Sequence, residues 1–398
     1  VLLGLALLAA CSKSTKVGSQ HEEPAPADES DQDDSPASDE PADSPASDQD
    51  GADEADDSKG DAPAPPKNAC MPASDDDSDS DGDSDDESEP SGSVNGGLDP
   101  LSFARLEAAQ LGTPKLVADT FTLAEGPVWD PCTKQLLFTD VEAQKIHTLS
   151  HDGAIGVYYE PSNYANGLAF DAQGRLMLAE MGGGQGGRIT RLDRALNLEV
   201  LIDHDPACGK LNTSDDLAVR SDGTIYFSDP VIAHGNYLGF SLTAKPIYRL
   251  APGSGERMLV KEGQASLPNG VRLSPDEHTL YVVGYLEGRV RRFDVAADGS
   301  LSESAPLATG LSTPDSLCVD AAGNVYVGVS RGLSVLRPDG SAVALIPIPS
   351  SSGTTNCAFG GEDGKTLFIT AWTSLWQLDA MPIPGNDWAR NRDMPCEP

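Results

Sequence analysis

Six copies of one short unit, an aspartate-led polar turn followed by an apolar strand, recur along the chain. They run Asp130 to Asp140, Asp171 to Glu180, Asp222 to Asp229, Asp276 to Gly284, Asp320 to Val329 and Asp363 to Ala371. The strand ends at 140, 180, 229, 284, 329 and 371 are 40, 49, 55, 45 and 42 residues apart. Each interval holds four short strands with their turns, and a repeat of this period is the mark of a radial or stacked array. The reading is an all-β, six-bladed β-propeller over residues 101–398, in which repetition around an axis removes long exposed sheet edges. Such a ring is closed when one terminus completes the last blade, and Lys115-Leu116-Val117-Ala118, just ahead of the first unit, is the candidate strand.

Outside the repeats the texture differs. Of the 63 acidic residues, 28 lie in residues 21–100 beside two lysines, leaving 35 against 23 Lys and Arg for residues 101–398. Residues 11–100 are rich in Asp, Ser, Pro, Ala and Glu and bury too little apolar surface to offset the entropy of ordering, so a disordered, self-repelling acidic tether is expected. Runs such as Asp75-Asp76-Asp77 lack the spaced ligands and closing Glu of an EF-hand loop. Neither region carries the basic patch that a phosphate backbone demands, which argues against nucleic acid as a partner.

Val1 to Ala10 is an apolar run ending in Leu8-Ala9-Ala10-Cys11. It is too short to cross a hydrocarbon core about 30 Å thick and reads as a secretory signal segment. Small residues before a cysteine resemble the bacterial lipobox, which makes Cys11 the lipidation site. The implied location is the bacterial cell envelope, with the membrane contacted through the lipid anchor alone and the outer membrane favoured by Ser12. That compartment permits disulfides. Cys318 and Cys357 sit in apolar strand-like runs and are expected as buried thiols. Cys132 and Cys396 lie near opposite ends of the folded region and are candidates to staple it. Residues Leu101 to Leu111 are the one segment read as a short helix, and the Gly182 to Gly187 run as a hairpin or rim loop.

Chemistry concentrates at four sites that precede the repeat units. Glu125-Gly126-Pro127, Ser214-Asp215-Asp216, Pro268-Asn269-Gly270 and Pro314-Asp315-Ser316 each place a carboxylate or carboxamide in a tight turn. Each occupies an equivalent place in its blade. In a propeller such places converge on one mouth, where these oxygens are hard ligands suited to Ca²⁺, Mg²⁺ or Mn²⁺. No Gly-x-Ser-x-Gly elbow offers a serine nucleophile. His278 falls in a surface turn, whereas His234 follows a strand and is a candidate to line the mouth.

With Asn166-Gly167-Leu168, Phe227-Ser228-Asp229-Pro230 and Asn356-Cys357-Ala358-Phe359-Gly360-Gly361, these segments resemble the senescence marker protein, gluconolactonase and luciferin-regenerating enzyme family over about Leu123 to Leu378. The resemblance implies that Glu125, Asn269 and Asp315 hold one divalent metal, Ca²⁺ first, with Mg²⁺, Mn²⁺ or Zn²⁺ as alternatives. It implies hydrolysis of a small-molecule lactone or related ester. Asp315 is then both ligand and base, Asp215 is the alternative base, and Asp215, Asp216, Asn166 and His234 contact substrate. The chain departs from the family by carrying Asp215 where Asn is common and Ser316 where Gly is usual. Two other readings share the fold: a non-catalytic surface binding propeller, and a phosphotriesterase-like or strictosidine synthase-like enzyme.

Overall fold

The computed structural model describes residues 99–205, 209–231, 247–252, 257–260, 267–350 and 352–397. Cys11, Cys70, Cys208, His234 and the acidic segment up to residue 98 lie outside them. Within the described residues, six four-stranded antiparallel sheets follow one another, with one extra two-stranded hairpin. The first strands of blades 1 to 6 are Ala124–Asp130, Ala165–Phe170, Leu217–Val219, Pro268–Leu273, Leu317–Val319 and Asn356–Gly360. Each touches the first strand of the next blade, and the sixth touches the first. These six strands therefore form a closed inner ring.

The sequence repeat is the turn and second strand of each blade: Gln135–Asp140, Leu176–Glu180, Ile225–Ser228, Thr279–Gly284, Val325–Val329 and Thr366–Ala371. These strands are apolar on both faces because a blade is packed on each side. Six buried apolar clusters fill the six interfaces between neighbouring blades, so no blade has a core of its own. The aspartate that leads each unit has a local cause. In all six its carboxylate accepts the backbone N–H two residues on, at 2.8–3.1 Å, which fixes the turn at one end of the blade.

Lys115–Ala118 pairs antiparallel with Ser374–Leu378 as the outermost strand of blade 6, the expected closure. Two expectations fail. Residues 101–111 form no α-helix; short 3₁₀ turns at Pro100–Ser102 and Ala108–Gln110 flank an irregular stretch. Leu106 is buried in the interface of blades 5 and 6, and Phe103 and Leu111 pack against the same cluster, so contacts to the blades hold this stretch. Cys318 and Cys357 are buried as expected but are joined to each other, because the inner strands of blades 5 and 6 hold their Cα atoms 5.6 Å apart. Cys132 and Cys396 are also bridged.

That second bridge pins the chain end, including the helix Asn386–Asn391, beneath the ring. Asn386 donates to the Leu273 carbonyl, Arg390 donates to the Val219 carbonyl, and Arg390 pairs with Glu277 at 2.6 Å. Voids of about 20 Å³ lie between the helix and the inner strands, and a cavity of about 210 Å³ opens beside the helix end against blades 2 and 3. The C-terminal helix thus covers the end of the channel that carries the aspartate turns.

Candidate functional site

At the other end of the channel, one residue per blade stands at an equivalent place. The backbone proves the equivalence. The N–H groups of Asp215, Asp315 and Thr355 each donate to a second-strand carbonyl, from Ser228, Gly328 and Thr370. Their carbonyls in turn accept from Gly167, Gly270 and Ser316 in the adjacent blade, at 2.7–3.1 Å. Glu125, Asn166 and Asn269 occupy the corresponding places at bulged strand starts, where the pairing register slips between Glu125 and Val128, Ala165 and Leu168, and Pro268 and Val271. Glu125-Gly126-Pro127 and Pro268-Asn269-Gly270, expected as turns, are bulges, as is the start of the strand at Asn166; a bulge re-aims a side chain without ending the strand. The glycine after Glu125, Asn166 and Asn269 permits the close fit. A Cβ on Gly126, whose φ is +49°, would fall 1.9 Å from the Asn166 carbonyl oxygen, and one on Gly167 would fall 2.5 Å from the Asp216 carboxylate.

Around the axis, acids alternate with amides. Glu125 of blade 1 accepts from the Asn356 amide of blade 6. Asp215 of blade 3 is 3.4 Å from the Asn166 amide nitrogen of blade 2. Asp315 of blade 5 accepts from the Asn269 amide of blade 4. Every carboxylate is therefore held by a carboxamide from the preceding blade. Asn356 sits one residue past the register of the other five, beyond Thr355, and the sequence reading quoted it without a role.

Electrostatically the three acids are costly. Burial, followed by the charges of Glu125 and Asp315, raises Asp215 well above the usual carboxylate range. Burial and then Asp315 raise Glu125 in the same way. Burial pushes Asp315 up to about 7 against the opposing hydrogen bond from Asn269. Asp216 belongs to a different layer. It is buried, and its oxygens accept from both sides: the Arg272 guanidinium at 2.8 and 2.9 Å, the Val271 N–H at 3.1 Å and the Ser316 hydroxyl at 2.8 Å. Ser316, one of the departures from the family pattern, thus has a partner. Arg272 neutralises Asp216 and leaves Glu125, Asp215 and Asp315 as three buried acids sharing three amides.

Among the described residues, no group of three or more His, Cys, Asp or Glu side chains is arranged as a metal cage. The donor set is instead mixed, two carboxylates and a carboxamide from Glu125, Asp315 and Asn269. Hard oxygen donors carrying uncompensated negative charge fit a divalent cation such as Ca²⁺, which takes carboxylate and amide oxygens alike. A groove of about 480 Å³ lies elsewhere, between blades 2 and 3 near the aspartate turns. Its charged groups are already matched, Arg175 with Asp171 and Arg191 with Glu199. Size there does not mark the chemistry.

The SMP-30/Gluconolactonase/LRE-like region matches residues 123–373. A gluconolactonase of Zymomonas mobilis is 28% identical over 317 residues, covering 71% of this chain and 85% of that protein. The pentonolactonase XacC of Haloferax volcanii is 28% identical over 276 residues, covering 64% and 84%. Among solved structures, the gluconolactonase XC5397 of Xanthomonas campestris superposes with a TM-score of 0.60 at 30% identity, covering 70% of this chain and 92% of that one.

Proposed function

Because this chain belongs to the SMP-30/gluconolactonase/LRE-like family, we propose that it hydrolyses a small-molecule lactone or related ester at the end of its channel opposite the C-terminal helix. The observation that carries this reading is the alternating ring of three buried acids and three amides, with Arg272 already committed to Asp216. The similar gluconolactonases and pentonolactonase support a lactone as the substrate.

Glu125, Asn269 and Asp315 would hold the divalent cation, Ca²⁺ before Mg²⁺, Mn²⁺ or Zn²⁺. When bound, such an ion supplies Lewis acidity toward the lactone carbonyl and its developing oxyanion. The chain's own groups handle the protons. Asp315, pushed up to about 7, is suited to take a proton from water as that water's oxygen attacks the carbonyl carbon. Asn269 fixes the orientation of that carboxylate. Asp215 was read from sequence as an alternative base. Its burial beside Glu125 and Asp315 favours the protonated form, so it is better suited to give a proton to the ring oxygen as the C–O bond breaks. One proton is taken from water and one delivered to the leaving oxygen, and the product is the open hydroxy acid.

The test is hydrolysis of aldonolactones and aryl esters with and without each cation, using the wild-type chain, Glu125→Gln and Asp315→Asn. Cation-dependent turnover should fall at least about 100-fold in each variant while the circular dichroism spectrum is unchanged. Tight cation binding with no turnover on any substrate would instead favour the non-catalytic binding propeller.

Membrane attachment through Cys11 at the cell envelope is part of the same proposal. The apolar run ending at that cysteine supports it, as do two disulfides in the propeller, which suit an oxidising compartment. Cys11→Ser should move the protein from the membrane to the soluble fraction; retention on membranes contradicts the assignment.

A further inference from the structure

Immediately outside the ring of acids and amides, a second set of equivalent positions repeats around the mouth. Each is a pair formed by the residue ahead of the inner strand and the residue after the second strand. Val141 N–H donates to the Leu123 carbonyl in blade 1, Met181 to Tyr164 in blade 2 and Tyr285 to Leu267 in blade 4, at 2.9, 3.0 and 3.0 Å. Leu123, Tyr164 and Leu267 each stand two residues ahead of Glu125, Asn166 and Asn269. In extended chain, residues two apart share a face about 7 Å apart, which puts Leu123 and Leu267 on the wall of the site residues; Tyr164, with a left-handed φ of +59°, joins the same cluster by its contacts.

All six are apolar or aromatic, and they form one contiguous cluster. Val141, Met181 and Leu267 are buried as its backing, and Leu123, Tyr164 and Tyr285 are partly open. The cluster abuts the site directly. The Met181 sulfur is 3.8 Å from the Asn166 amide nitrogen, and Tyr285 lies close enough to Asp315 that its phenol is pushed up to about 12, by burial first and then by that charge. The corresponding pairs in blades 3 and 5 are Thr213 with Pro230 and Ser312 with Ser330, so among the described residues the six side chains of this cluster come from blades 1, 2 and 4.

We propose that this apolar collar selects lactones bearing an alkyl or aryl substituent over polyhydroxylated aldonolactones. The inference rests on the lactone-hydrolase reading and narrows its substrate class. Six side chains with two phenols as their only hydrogen-bonding groups offer few partners to a polyol. Hydroxyl groups brought against them lose water without replacement. A hydrocarbon substituent gains instead, by about three- to fourfold in kcat/KM for each methylene it buries.

The experiment is hydrolysis by the full chain, with Ca²⁺ present, of γ-lactones whose alkyl substituent grows from ethyl to octyl, beside glucono-δ-lactone. The expected result is kcat/KM that climbs at about three- to fourfold per methylene through the first few carbons and exceeds that for glucono-δ-lactone. Leu123→Asn and Leu267→Asn should flatten the climb, and the wild-type series stands by itself should either variant fold poorly. A flat wild-type series, or glucono-δ-lactone as the best substrate, overturns the collar's role and leaves the lactonase reading intact. Hydrolysis of no lactone at all overturns both.

Discussion

Asp216 lies buried beneath the candidate site with Arg272 of the next blade as its ion-pair partner. Both are buried, and the guanidinium also faces Asp387 of the C-terminal helix at 3.8 Å. Removing one member of such a pair leaves a charge without water or partner, which costs about 3–5 kcal/mol. Arg272→Met should therefore lose that much in urea unfolding, and adding Asp216→Asn should recover part of it because the two sites are coupled. Full wild-type stability in Arg272→Met would refute this account. The same residues show which parts of the site are legible in sequence. Glu125, Asn269 and Asp315 stand out because glycine or proline beside them breaks an apolar run, and Asp215 because Ser214-Asp215-Asp216 is a polar run just ahead of an apolar strand. Arg272 does not, since it sits inside the strand Pro268–Leu273 and its partner is 56 residues away. Asn356 is hidden for another reason: it lies one position off the register that identifies the other five.

The strand units of the repeat read well because their pattern is local. An aspartate two residues ahead of the N–H it accepts, then an apolar run buried on both faces, is written in consecutive residues. The closing strand Lys115–Ala118 was equally visible, as a short run with no partner nearby in sequence. Its removal makes a sharp prediction. A chain beginning after residue 118 leaves Ser374–Leu378 as an open edge in blade 6, with unpaired backbone groups able to recruit another chain. That chain should melt below the full propeller and show concentration-dependent association in sedimentation; a monomer of unchanged melting temperature would show that closure is dispensable. What was not legible depends on neighbours distant in sequence. Burial of Cys318 and Cys357 followed from their apolar surroundings, but their bridge follows from two blades lying side by side. The absent helix at 101–111 is similar, because Leu106 is recruited by a core built from residues more than 200 positions later.

Closed on itself, pinned at one end by Cys132 and Cys396 and filled by six shared interfaces, the ring should unfold as a unit, so strain in one blade is felt by all. Its response to pH draws on two buried carboxyls outside the proposed ligand set, which act with the same sign as the raised Glu125, Asp215 and Asp315. Burial pushes Asp229 in blade 3 up to about 7, against hydrogen bonds from Asn212 and Ser214, and pushes Asp320 in blade 5 up to about 6, against those from Asn324 and Tyr326. In the unfolded chain both return toward the ordinary aspartate value of about 3.9. The folded state then binds protons that the unfolded state has released, so both contributions are fully present below pH 4 and are lost as pH rises through about 6 and 7. Acid-denaturing carboxylates have the opposite sign: Glu287, lowered overall by Arg289 and Arg291 against its burial, gives stability that is lost only in more acidic solution. With divalent cations chelated and the disulfides intact, the melting temperature should accordingly be higher at pH 5 than at pH 8. Asp229→Asn, which removes one of the two titrations, should reduce that difference in calorimetric scans. A wild-type melting temperature that rises from pH 5 to pH 8 would mean that Asp229 and Asp320 are ionised within the fold at little cost, with the surrounding polar groups replacing water more completely than their burial implies.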